Sequence, residues 1–200
     1  TSRNHKAKDS RTLCPWIVYK HRFFEHQIYV LTSILIRMEV MQTTKQSGSK
    51  SGFGRITLEQ GPIEEVHAFW LAGMSCDGCS IAAVGAKNPS VDQLLKAAIP
   101  GLPKVILHHP VLSVTAGDEF IESYHKAKQG KLGAPYVVLY EGSVADESIA
   151  EKFGGYWSAM GTEESNDGTH QPIPTAKWLN DLAPEAAAVV AVGTCATWGG

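Results

Sequence analysis

From about residue 65 onward, short and nearly unbroken apolar runs alternate with amphipathic stretches. The runs over 66–71, 104–107, 135–140 and 187–192 are too short for stable helices and are rich in Val, Ile and aromatic residues, so they predict strands. Their continuous apolar character suits strands buried on both faces, the usual state of a parallel sheet. Helices are predicted between them. One over 80–86 opens on Ser80, read as its cap, and a shorter one over 90–98 opens with Ser90-Val91-Asp92-Gln93, a capping-box pattern. The stretch 117–129 places Asp118 and Glu119 at its positive end, Lys126 and Lys128 at its negative end, and Gly130 as its stop. A last helix is expected from Thr175 through Leu182, ending near Pro184. This alternation implies right-handed crossovers and an α/β fold with a doubly wound parallel sheet. Residues 153–173 show little periodicity and are expected to form a long connection of the kind that often faces a partner.

The first 54 residues break the pattern. Residues 1–40 mix His, Arg, Lys and aromatics without period, and 42–54 is a linker rich in Ser, Gly and Lys. They read as an irregular extension and linker, and a true start at Met38 or Met41 would make the first forty residues foreign to the fold. Residues 55–200 are then the main domain. The longest early apolar run, 28–36, is interrupted by Thr32 and Ser33 and falls far short of the roughly 20 residues a bilayer requires. No adjacent Arg pair precedes it and no export signal is visible, so a cytoplasmic location is expected, with any membrane association through partners.

A chain of 200 residues, 44% hydrophobic and 19% charged, suffices for one α/β domain with a real core. Its net charge of −2 hides an asymmetry. Residues 1–50 hold nine of the eighteen Lys and Arg against three acids, while 51–200 hold the other nine against seventeen. The main body is therefore acidic, which argues against a nucleic-acid surface. No Gly-x-Gly-x-x-Gly or Walker pattern occurs, so nucleotide binding lacks support.

Four cysteines are too few for a disulfide scaffold, and a close pair plus a distant single one points to metal or redox chemistry. Cys14 lies apart and reads as incidental. Cys76-Asp77-Gly78-Cys79 directly follows the first predicted strand, while Cys195, about 115 residues on, follows the last one within Gly193-Thr194-Cys195-Ala196-Thr197-Trp198-Gly199-Gly200. Carboxyl ends of strands in an open α/β sheet share one edge, so loops there bring the three thiols together. Gly73 and Gly78 allow a close turn, and loop amides there are suited to donate to the sulfurs of an iron-sulfur cluster. Such a site wants a fourth ligand, and none is obvious. A thioredoxin-like dithiol is disfavoured because Asp77 opposes a thiolate and Cys195 would have no role. Zinc suits the same sulfurs equally well, and the plainest alternative is small residues packed at turns.

The segment Trp70-Leu71-Ala72-Gly73-Met74-Ser75-Cys76-Asp77-Gly78-Cys79-Ser80, with the Gly193–Gly200 octapeptide, resembles the small subunit of nickel-iron hydrogenases. Pro89-Ser90-Val91-Asp92, Leu107-His108-His109-Pro110-Val111-Leu112 and Glu141-Gly142-Ser143-Val144 are similar to the same family, nearest its high-affinity uptake branch of actinobacterial type, and the resemblance covers about residues 65–200. It implies a flavodoxin-like domain, truncated before the C-terminal iron-sulfur domain, and electron transfer from H2 oxidation through a proximal [4Fe-4S] cluster. Cys76, Cys79 and Cys195 would be three of its ligands, with the fourth from a Pro-Gly-Cys-Pro-like motif beyond residue 200. Further iron-sulfur clusters would lie in that later part. The implied partners are a large subunit carrying the catalytic nickel-iron site and a downstream electron acceptor, so no catalytic residue is expected in this chain. Oxygen-tolerant relatives place extra cysteines around the proximal cluster, but here positions 77 and 78 are Asp and Gly. The alternatives are the related iron-sulfur subunit of respiratory complex I, whose adjacent cysteine pair this chain lacks, and a non-enzymatic zinc or flavodoxin-like binding module.

Several residues near the thiols carry weaker expectations. His108 and His109 end the second strand on the cysteine edge, where a structural role is preferred over one near the cluster. Glu141 ends the third strand and is read first as a capping carboxylate, second as a proton carrier near a subunit boundary. Met74 and Trp198 flank the thiol loops as candidate water shields, although core packing explains them as well.

Overall fold

The computed structural model describes residues 63–165 and 167–199. The expected extension and linker over 1–54, with Cys14, Met38 and Met41, lies outside these residues. Strands β1 (Glu65–Ala72), β2 (Lys104–His108), β3 (Tyr136–Glu141) and β6 (Ala188–Val192) form a four-stranded sheet in the order β2-β1-β3-β6. Every pair in it is parallel, with Phe69 opposite His108, Trp70 opposite Leu139 and Glu141 opposite Val192. Because side chains alternate along a strand, each strand feeds two cores. Val66, Ala68 and Trp70 of β1 pack with Val137 and Leu139 on one face, while Phe69 and Leu71 pack with Tyr136, Val138 and Tyr140 on the other.

Helices α1 (Gly78–Gly85) and α2 (Val91–Leu95) cover the first face. The capping box predicted at Ser90 is present: its hydroxyl accepts from the Gln93 amide at 3.2 Å, and the Gln93 side chain accepts from the Ser90 amide at 2.9 Å. Ser80, by contrast, does not cap α1. The cap is Asp77, in a left-handed conformation with φ 58°, and Ser80 sits in the first turn with its hydroxyl turned inward.

The second face is covered by α3 (Gly117–Lys128) and α5 (Thr175–Leu182). Phe120, Ile121, Tyr124 and Ala127 of α3, and Thr175, Trp178, Leu179 and Leu182 of α5, recur at helical spacing and are the buried positions. Burial of side chains as large as Trp178 and Leu182 stabilises by roughly 1.5–3 kcal/mol each. Between β3 and α5 lie the short helix α4 (Glu147–Ala150) and a two-stranded antiparallel hairpin, β4 (Ala159–Glu164) with β5 (His170–Pro174). This hairpin falls within the stretch expected to be an irregular connection. Its strands are polar and mostly exposed, so no apolar pattern marked them, and they are held from outside. Trp178 donates to the Met160 carbonyl at 2.9 Å, and the Ser158 hydroxyl bonds the Ala72 carbonyl at 3.1 Å and Thr175 at 2.7 Å.

His108 belongs to the second face, away from the thiol loops. Its ring stacks on Phe69 at 4.4 Å between centroids, and its Nε2 lies 2.8 Å from His67 Nδ1. Burial, reinforced by the neighbouring His67, lowers the His108 pKa to about 4, and burial lowers that of His67 as well. An unfolded histidine titrates near 6.5. The unfolded chain therefore binds more protons between these values, and stability contributed by neutral His108 is full above pH 6.5 and lost as pH falls towards about 4. Urea titrations across that window should show a falling midpoint, and His108→Phe should flatten the slope.

Candidate metal centre

The three expected cysteines are delivered by two turns that leave the same sheet edge. Cys76 lies in the loop after β1 and Cys79 in the first turn of α1, while Cys195 follows β6. The Cys195 segment is not the loop expected from its glycines. Gly193–Trp198 forms a short helix, α6, entered through Gly193 at φ 82°. Strand β3 separates β1 from β6, and its last residue, Glu141, lies beneath the gap between the two turns.

The turns touch directly. A Cβ added at Gly193 would stand 2.4 Å from Cys79 Sγ, so the sulfur occupies the space a side chain there would need. Cys79 Sγ also lies 3.8 Å from the Val192 carbonyl. Burial first, then the charges of Glu141, Cys76 and Cys195, push the Cys79 thiol up to about 11. That shift opposes a reactive dithiol, whose nucleophile needs a lowered pKa. Cys76 and Cys195 are exposed and Cys79 is half-buried.

Glu141 organises the floor of this site. It is 1% exposed, yet its carboxylate accepts from the Cys79 amide at 3.1 Å through Oε1 and from Trp70 Nε1 at 2.9 Å through Oε2. The Ser80 hydroxyl also donates to Oε2, and Ser75 supplies a further hydrogen bond. Burial opposes ionisation, but these donors together outweigh it and hold the carboxyl below its ordinary range. The expectation of a capping carboxylate thus understated it, since Glu141 joins the end of β1, the loop after it and the start of α1. Sequence reading missed Ser80 and Trp70 as its partners, and their only signal was the polar Ser80 placed immediately after an apolar strand and its turn.

The loop before Cys76 is fixed by backbone bonds to the end of β3: the Gly73 amide to Glu141 and the Met74 amide to Ser143, at 2.8 and 3.1 Å. Gly73 is required for this approach, because a Cβ there would lie 2.3 Å from the Tyr140 hydroxyl. His109 sits on this side of the sheet, 2% exposed, bonded to Ser80. Met74 and Trp198 are 47% and 69% exposed, so they border the thiols as surface residues and not as core.

Among the described residues, no group of three or more His, Cys, Asp or Glu is placed to hold a single metal ion. A cluster with its own bridging sulfides spaces its thiolates more widely than one ion does, and an all-sulfur donor set is the one such clusters take. Thiols gathered at one rim are donors that such a cluster takes, and zinc takes sulfur as well. Also among the described residues, no helix is long and apolar enough to cross a membrane.

Fold and rim together are those of a flavodoxin-like α/β subunit with cysteines gathered at the carboxyl edge of its sheet. Residues 76–200 match the family described as NADH ubiquinone oxidoreductase, 20 Kd subunit. The chain is 26% identical over 131 residues to the periplasmic [NiFeSe] hydrogenase small subunit of Desulfomicrobium baculatum, covering 66% of this chain and 38% of that protein. It is 28% identical to the hydrogenase-2 small chain of Escherichia coli K12, covering 66% of this chain and 30% of that one. Among solved structures, the actinobacterial-type NiFe-hydrogenase from Ralstonia eutropha H16 superposes with a TM-score of 0.63 at 47% identity, covering 76% of this chain and 42% of that chain. The chain belongs to the nickel-iron hydrogenase small subunits within that wider family. It spans about a third of the length of the two curated relatives named here.

Two outcomes follow from the contact between the turns. Gly193→Ala should displace Cys79 and destabilise the protein by about 1–3 kcal/mol in denaturant titration, through overpacking and a strained positive φ. In metal-free protein, alkylation of Cys79 by iodoacetamide, followed by peptide mass analysis, should still be accelerating with pH beyond pH 10, as a thiol near 11 requires.

Proposed function

We propose that this chain is the proximal-cluster region of the electron-transferring small subunit of a nickel-iron uptake hydrogenase, with Cys76, Cys79 and Cys195 as ligands of a [4Fe-4S] cluster. The observation that carries the reading is the interlock of the two cysteine-bearing turns over Glu141 at one sheet edge. Such a cluster, when bound, supplies a one-electron acceptor whose potential responds to nearby charge and hydrogen bonds. The chain's own part is placement. Glu141 pins the Cys79 amide, β1 and β6 aim the thiols at a common edge, and the apolar packing beneath them keeps water from the inner side.

In this reading hydrogen is split on a separate large subunit, which covers the rim where Cys76 and Cys195 are exposed beside the apolar side chains of Met74, Val144 and Trp198. A fourth cluster ligand comes from outside the described residues, as do further clusters that lead to a downstream acceptor. The complex I-related reading keeps only the family description in its favour, since the individual relatives matched are hydrogenase subunits.

The test is anaerobic isolation of the full-length protein with its large subunit. Iron, acid-labile sulfide and broad visible absorption are expected, and Cys79→Ala or Cys195→Ala should lose the proximal cluster's share of both elements. A colourless protein holding zinc without sulfide would sink the assignment.

A further inference from the structure

We infer that His109 is a positioning residue for the cluster-binding turn, acting through Ser80 to fix the carboxylate that holds the Cys79 amide. The argument begins with the direction of the hydrogen bonds. His109 Nδ1 accepts from two backbone amides, Val111 at 3.1 Å and Leu112 at 3.3 Å, and so carries no proton. The neutral ring must then carry its proton on Nε2, which lies 2.9 Å from Ser80 Oγ and donates to it. With its oxygen accepting from His109, the Ser80 hydroxyl is committed as a donor, and the acceptor within reach is Glu141 Oε2. The other carboxylate oxygen receives the Cys79 amide. Donors of one polarity thus run from the loop after β2 to Glu141, which accepts from the other side the Cys79 amide of the turn between two cluster ligands, and every member from His109 to Glu141 is buried.

The Cys79 amide lies in the first turn of α1, where no intrahelical acceptor exists, so Glu141 is what satisfies it. If the Ser80 hydroxyl were free to turn, the carboxylate would lose a donor and its fixed orientation. Uncompensated negative charge would then stand beside a cluster thiolate and make the cluster harder to reduce. This consequence rests on the cluster reading, whereas the amide lock does not.

The test uses the full chain in its complex. His109→Asn keeps an acceptor for the Val111 and Leu112 amides but removes the donor to Ser80, which separates this relay from simple anchoring of the loop. Hydrogen exchange at the Cys79 amide should quicken by about tenfold in Ser80→Ala and by several-fold in His109→Asn. The double variant should exchange no faster than Ser80→Ala alone, because residues acting in series are not additive. The proximal midpoint potential should move to more negative values in the same order. In the unsubstituted protein, nitrogen NMR should show the His109 proton on Nε2, a measurement that requires no variant. An Nδ1 proton, additive effects in the double variant, or unchanged amide exchange in His109→Asn would each overturn the inference. Absence of iron and sulfide from the unsubstituted complex would instead defeat the cluster reading and leave the exchange and NMR results to decide the relay.

Discussion

An ionised carboxylate buried at the end of an inner strand, β3, is the constraint around which the rim is arranged. Charge in an apolar interior is costly unless several donors meet it. Glu141 is met by Trp70 from β1, Ser75 from the loop, and Ser80 and the Cys79 amide from α1. These groups all come from residues 70–80, the end of β1, the loop after it and the start of α1, so satisfying the charge fixes that stretch against the end of β3. The placement of Cys76 and Cys79 is to that extent a by-product of satisfying one buried charge.

The two faces of the sheet divide the remaining work. On the face of α3 and α5, aromatic packing and the neutral pair His67–His108 build a dry core, sealed by Tyr124, whose hydroxyl donates to the carbonyls of Trp70 and His108 at 3.2 and 3.1 Å. On the other face, polar links converge upward from His109 to the rim. Neighbouring histidines in sequence therefore serve opposite sides of the sheet, as strand alternation dictates at the end of β2.

Much of the scaffold was legible because continuous apolar runs have few alternatives. The four expected strands differ from β1, β2, β3 and β6 by at most one residue at an end, and the capping box at Ser90 was visible as spelled. Strand order was not legible, since no local feature says that β3 lies between β1 and β6. The hairpin β4–β5 escaped notice because its strands are mostly polar, with Ile173 the one side chain they bury fully, and they depend on Ser158, Trp178 and Thr175 for their place. At the site, the cysteines announced themselves by type and position, and the structure brings them to one edge. The supporting network did not, because residues 70, 75, 79, 80, 109 and 141 are related only through the folded sheet. Cys195 lies on a helical turn and not the expected loop for a similar reason: Gly193 supplies the single unusual dihedral, after which the chain winds normally.

The missing side chain at position 193 makes the two sulfur-bearing turns fitted halves of one object. Neither can be grafted alone onto another parallel sheet with its geometry intact, because each supplies part of the other's boundary. The transferable unit is the pair together with the strand between them, so a designer borrowing this architecture would need to carry three strand ends, and not a four-residue motif.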